Sequence, residues 1–307
     1  MLQTILSKCD ERYQNSRREF SDCSYPQYLY DCEACLEHVH HPDRFPQDPF
    51  VRHYDCKNMA DYYTCKYSCK YTSELIYGLR RMDKLRSEPA LRVLSFGCGP
   101  CTDLFALDQM QESGELTCQT IDYRGIDCSK DTWENVHKDI KGFENEMCTI
   151  RFYYTDVIDI MADITRWTWT PNLIVFQYLF SDMLKHSGDQ KTRAFIDRFA
   201  AYYNEKILPD TYIILNDTNL HILAGGGRDY FDLLAGKLFS SSVRKGRFFN
   251  AHSQSAGNPR GYPYGEDSDG EFSQNKNLFT AIESGQWDAY SPATYCKSAQ
   301  MVIRKEG

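Results

Sequence analysis

From residue 91 to residue 216 the sequence alternates short apolar runs with stretches long enough for helices. The runs are LRVLSF (91–96), YRGID (123–127), TIRFYYT (149–155), NLIVFQYL (172–179) and TYIILN (211–216). The clearest helical stretches between them are Thr102–Gln111, Lys130–Lys141 and Asp189–Lys206. This alternation predicts a mostly parallel α/β sheet with helices on both faces, because a strand covered on both sides must be apolar. Two later runs, NLFTAI (277–282) and SAQMVIRK (298–305), have no helix-length segment between them. They predict an antiparallel pair at one edge, for seven strands in all.

Upstream of residue 90 the character changes to Cys, His and Tyr. Seven of the thirteen cysteines fall in the first 69 residues. A long helix is predicted over Cys56–Arg86, with Cys65, Cys69, Ile76 and Leu79 on its apolar stripe. We therefore divide the chain into a Cys/His-rich N-terminal segment, 1–74, and a main domain, 75–307, interrupted by an insertion at 217–276 that carries GGG and a Gly/Pro/Ser-rich tract.

Several classes are excluded early. No apolar run approaches the roughly 20 residues that span a bilayer, and the opening MLQTILSKCDERYQ becomes charged too soon for a signal peptide. With an odd number of cysteines, the expectation is a reduced, cytoplasmic protein without membrane partners. The net charge of −8 argues against a generally basic nucleic-acid binder.

The first strand ends in Gly97-Cys98-Gly99-Pro100, and the next helix opens at Thr102, an N-cap residue type. A tight glycine turn at the carboxyl end of a strand lets a ligand approach the backbone. The second strand ends in Asp127, where a carboxylate can accept both hydroxyl hydrogens of a ribose. The third runs into Asp156, which is placed to accept from the exocyclic amine of adenine. A nicotinamide dehydrogenase fits poorly, since G-x-G-x-x-G would need Gly or Ala where Thr102 stands.

VLSFGCGPC, GIDCS, YYTDV and LIVFQYLF together resemble the class I S-adenosylmethionine-dependent methyltransferases, over about residues 75–216. The resemblance implies a Rossmann-like sheet and S-adenosyl-L-methionine as cofactor. It implies that Gly97, Cys98, Gly99 and Pro100 line the methionine end. Asp127, with Cys128 beside it, would take the ribose, Asp156 with Val157 the adenine, and Gln177 would sit beside the methyl. Two positions depart from the pattern: Ser95 replaces the usual acid, for which Asp103 is a nearby substitute, and Cys101 replaces the third glycine. The preceding helix is implied to cover the pocket, which brings Tyr71 and Glu74 toward it. Asp182 is either a base or part of the next helix's first turn, so no catalytic residue is assigned.

Cys32, Cys35, His40 and Cys56 predict a structural zinc site, a C-x-x-C pair completed by a His and a distant Cys, with His41 or Cys23 as substitutes. The competing reading is a set of reduced core cysteines. Seven basic residues against three acidic ones in 57–86, and five basic residues in Lys237–Arg260, raise a nucleic acid as methyl acceptor beside a small molecule. The alternative to an enzyme is a non-catalytic zinc- and nucleotide-binding interaction module. The acceptor and the oligomeric state are left open.

Overall fold

The computed structural model describes residues 1–19, 31–47 and 52–247, and near the C terminus 287, 289–292 and 298–307. Seven strands form one sheet: β1 Ala90–Phe96, β2 Thr120–Asp127, β3 Cys148–Tyr154, β4 Leu173–Gln177, β5 Tyr212–Thr218, β6 Ser241–Arg247 and β7 Ser298–Lys305. Their spatial order is β3-β2-β1-β4-β5-β7-β6. The pairs from β3 to β5 are parallel, whereas β7 runs antiparallel to both β5 and β6. The expected mostly parallel sheet with antiparallel pairing at one edge is therefore present. The strand paired outside β7 is β6, and the predicted run 277–282 lies outside the described residues.

Alternation along the strands sends side chains to two cores. On one face Leu91, Val93, Tyr123, Val175 and Ile214 pack with helices α1 (Leu2–Glu19), α2 (Cys32–His40), α3 (Lys57–Leu79), α5 (Thr102–Glu112) and α6 (Lys130–Lys141). On the other, Leu94, Phe96, Ile174, Phe176 and Leu215 meet α7 (Val157–Ile164), α8 (Leu179–Ser187), α9 (Asp189–Lys206) and α10 (Asp229–Ala235). Phe96 stacks on Phe176 at 5.1 Å and meets Phe195 and Phe199 edge-on. Each such buried ring contributes about 1.5–3 kcal/mol.

The helix expected over Cys56–Arg86 is two helices, α3 and the short α4 (Asp83–Arg86). The chain turns at Arg80–Met82, where Met82 leaves helical geometry (φ −107°, ψ 64°) and is fully buried. Cys65 and Cys69 sit in the core, as their stripe predicts. Residues 217–247 of the insertion contain the end of β5, α10 and β6, while 248–276 lie outside the described residues.

Candidate functional site

The strand order reverses at β1, which pairs with β2 on one side and β4 on the other. Open α/β sheets form their ligand crevice at such a point, beyond the carboxyl ends of the strands. A cleft of about 1040 Å³, counted to its open mouth, lies there. Gly97, Cys98, Gly99, Pro100, Asp127, Cys128, Asp156, Val157 and Gln177 all line it. Residues up to 80 positions apart in sequence are thus brought to one cavity.

The floor is the turn after β1. Gly97 (φ 63°) and Gly99 (φ 45°) adopt left-handed backbone, and a Cβ on Gly97 would stand 2.9 Å from Leu179 Cδ1. Glycine answers both requirements at once. The Gly99 N–H donates to Asp127 Oδ2 at 3.0 Å, and the Ser129 N–H to Oδ1 at 2.8 Å. Burial raises the Asp127 carboxyl above its ordinary value, while these two donors favour the charged form. Each oxygen retains a lone pair for a ligand hydroxyl.

Asp156 caps α7, accepting from the Ile158 N–H at 2.7 Å. The Gln177 amide is held at both ends: its Nε2 donates to the Tyr71 carbonyl at 2.9 Å, and its Oε1 accepts from the Thr102 hydroxyl. It ties β4 to α3 and α5 while facing the cleft.

The cleft is also lined by aromatic side chains, Tyr54, Tyr63, Tyr71, Trp133 and Tyr178, with Trp133 against Gly99 of the glycine turn. Tyr71 and Tyr178 meet at 4.4 Å between ring centroids. Asp182, in the first turn of α8, also lines the cleft, so it belongs both to the helix start and to the cavity. Burial lifts its carboxyl to about 6 against the pull of Lys185. His186 beside it is pushed down to about 4 by burial and by His53, whose ring lies 5.2 Å away. Both His186 ring nitrogens are buried and have no hydrogen-bond partner among the described residues. Orphaned polar atoms in a cavity call for a ligand or water.

Tyr71 reaches the cleft as expected, but Glu74 does not line it. Glu74 is fully buried and accepts from Asn216 Nδ2 (2.6 Å), Ser298 Oγ (2.7 Å) and the Tyr178 hydroxyl (3.0 Å), fastening α3 to β5, β7 and the start of α8. Asp103, beside Ser95, does not line the cleft: it accepts from the Tyr123 hydroxyl at 2.9 Å inside the sheet–helix layer.

The expected zinc shell of Cys32, Cys35, His40 and Cys56 is not gathered. Among the described residues the group of three or more ligand-type side chains whose donor atoms lie within 4.8 Å of one another is Cys98, Cys101 and His137. Cys32, Cys35 and Cys56 are buried in the core between α2 and α3, and Arg52 approaches Cys35 Sγ at 3.5 Å. His40 instead meets the Tyr54 hydroxyl at 3.0 Å, with burial lowering it to about 3, so it is a neutral packing residue of the aromatic wall. Cys23 lies outside the described residues.

The basic stretch 57–86 presents little free charge. Six of its seven basic side chains, at Lys57, Lys66, Lys70, Arg80, Lys84 and Arg86, face a carboxylate. The other basic stretch, Lys237–Arg260, falls mostly outside the described residues, and its Lys237 pairs with Asp197 at 2.8 Å.

Sequence reasoning missed His53, Tyr54, Trp133, Met183 and His186 as cleft residues. Tyr54 and His53 lie in an irregular segment before α3, where no period signals contact. Trp133 and His186 lie on helices whose apolar faces are legible, but the rim toward the cleft is set by where the sheet places each helix.

The strand order, with β7 alone reversed against the parallel strands, and the cleft over the strand ends define the fold of the class I S-adenosylmethionine-dependent methyltransferases. No protein-family model matches the chain, and no curated protein matches it. Among solved structures it is similar to the plantazolicin methyltransferase BpumL in complex with SAH, at 11% identity over 97% of this chain and 100% of that one, with a TM-score of 0.47. A SAM-dependent methyltransferase from Archaeoglobus fulgidus matches at 15% identity, covering 77% and 96% of the two chains, with a TM-score of 0.42. The O-methyltransferase TomG from Streptomyces achromogenes matches at 9% identity over 90% of each chain, with a TM-score of 0.40. At these values the fold rests on the order and direction of the strands rather than on the likenesses.

Proposed function

We propose that the chain is an S-adenosylmethionine-dependent methyltransferase. The observation that carries this reading is the convergence of Gly97–Pro100, Asp127, Asp156 and Gln177, from four strand ends, on one cleft. The donor set fits the cofactor. The glycine turn accepts a close approach by the methionine end, Asp127 has the acceptor capacity that two ribose hydroxyls need, and Val157 offers an apolar seat beside Asp156 for adenine. When bound, the sulfonium supplies an electrophilic methyl group.

The acceptor end of the cleft is the part lined by Tyr54, Tyr63 and Met183 around Asp182 and His186. Its aromatic lining, and the pairing of basic residues along α3 and α4, favour a small or side-chain acceptor over a nucleic-acid backbone. Asp182 is the group suited to take a proton from an acceptor hydroxyl or amine, since a base works best with a pKa near the working pH. Calorimetric titration with S-adenosylhomocysteine tests the reading. Saturable one-to-one binding is expected. A folded protein that binds neither S-adenosylhomocysteine nor S-adenosylmethionine overturns the enzyme reading in favour of a non-catalytic interaction module.

A further inference from the structure

Beneath the glycine turn lies a feature that methyl transfer does not require. Cys98, Cys101 and His137 are all buried, with their side-chain donor atoms within 4.8 Å of one another. Cys98-Gly99-Pro100-Cys101 is a β-turn closed by the Cys101 N–H donating to the Cys98 carbonyl at 2.8 Å. Such a turn holds its end Cα atoms within about 7 Å, overlapping the roughly 4.4–6.8 Å that a disulfide spans.

The two cysteines are not equivalent. Cys98 belongs to the turn that lines the cleft and keeps 6 % of its surface exposed, whereas Cys101 has none and, immediately before α5, donates its thiol hydrogen to the Gly99 carbonyl rather than capping the helix. His137 Nε2 lies 3.9 Å from Cys98 Sγ and 2.7 Å from the Gly99 carbonyl, which Cys101 Sγ also approaches at 3.7 Å. Burial works against ionisation of Cys101, but the Cys98 hydrogen bond and the His137 imidazole hold it below the usual thiol range, while burial and the hydrogen bond to Cys101 push the Cys98 thiol well above that range. The Gly99 carbonyl already takes the hydrogen bonds of His137 and Cys101, which a metal ion would have to displace.

The geometry points to a thiol–disulfide site at Cys98 and Cys101, whose co-reactant is a low-molecular-weight disulfide entering through the cleft. The Cys98 thiol gives up its proton as its sulfur attacks one sulfur of RSSR, forming Cys98–S–S–R and releasing RS⁻, which takes that proton. The Cys101 thiolate then attacks the Cys98 sulfur, forming the intramolecular disulfide and releasing a second RS⁻. Two electrons pass from the cysteines to the small disulfide, and the two thiol protons end on two RSH molecules. Because Cys98 adjoins Gly97 and Gly99, a cofactor in the cleft covers the entry point; this coupling alone rests on the proposed function.

The test treats the full-length reduced protein with oxidised glutathione, quenches by alkylation and weighs the peptide holding residues 98–101. In the wild type that peptide is expected to lose two hydrogens and to resist alkylation, while Cys101→Ser stops at a glutathione adduct on Cys98. Saturation with S-adenosylhomocysteine at about ten times its dissociation constant is expected to slow closure about tenfold. If both thiols still alkylate in the wild type under conditions that oxidise the exposed Cys128, the site is overturned. A stoichiometric metal that Cys101→Ser releases overturns it as well. Binding of S-adenosylhomocysteine without protection defeats the coupling alone, and absence of binding defeats the methyltransferase reading while the wild-type masses still decide the dithiol.

Discussion

At the scale of single residues, the site depends on a few conformations and charges. Gly97 occupies left-handed backbone that costs an L-residue roughly 1–2 kcal/mol, and its missing Cβ leaves room for Leu179. Gly97→Ala is expected to destabilise the fold by about 1–3 kcal/mol in denaturant titration and to weaken cofactor binding in calorimetry. Cys101 adopts the same region (φ 60°) with its thiol turned toward His137 and Gly99, away from the cleft. Cys101→Gly should therefore leave cofactor affinity within about twofold, because no lining atom changes. Asp182 must be deprotonated to accept a proton. With its carboxyl lifted to about 6, methyl transfer should rise with pH through that value and level off above it. Asp182→Asn should lower kcat about 100-fold or more and remove that rise; an unchanged pH profile in the variant would assign the proton to another group.

At the scale of elements, α3 is the part whose role differs most from its sequence. Its tyrosines at 63, 67 and 71, spaced i+4, pack along one face, and Tyr63 and Tyr71 of them line the cleft. Glu74 on the same helix is a fastener. Removing it takes the acceptor from Asn216 and Ser298 in a buried layer and breaks the Tyr178 hydrogen bond. Glu74→Ala is expected to cost about 2–4 kcal/mol, a fall of roughly 5–15 °C in Tm. Glu74→Gln, which keeps an acceptor, should recover much of it. The long parallel strands were legible because a strand buried on both faces has to be apolar. β6 was not, since SSVRKGR is polar and takes its place only by pairing with β7. The first helix shows its period at Leu2, Ile5, Leu6, Cys9 and Tyr13, all buried. The Cys and His content downstream of it predicts zinc instead of packing. On α2 the Cys32 and Cys35 spacing instead puts both thiols on the face that meets α3, and His40 turns to Tyr54.

At the scale of the whole molecule, two helical layers sandwich one sheet, and the cleft opens where the strand order reverses. The half of the cleft built from strand ends was legible in the sequence, because Gly97–Pro100, Asp127, Asp156 and Gln177 each follow an apolar run. The opposite half was not: Tyr54, Asp182 and His186 come together through the docking of an irregular segment against α8, a contact between residues more than 100 positions apart that no local period encodes. No described helix is long and apolar enough to cross a membrane. Together these two halves are proposed to form one cofactor and acceptor site. In a crystal structure with S-adenosylhomocysteine bound, both ribose hydroxyls are expected within hydrogen-bond reach of Asp127, adenine between Asp156 and Val157, and the sulfur directed past Gln177 toward Asp182; density at another site, or none at a saturating concentration, rules the shared site out.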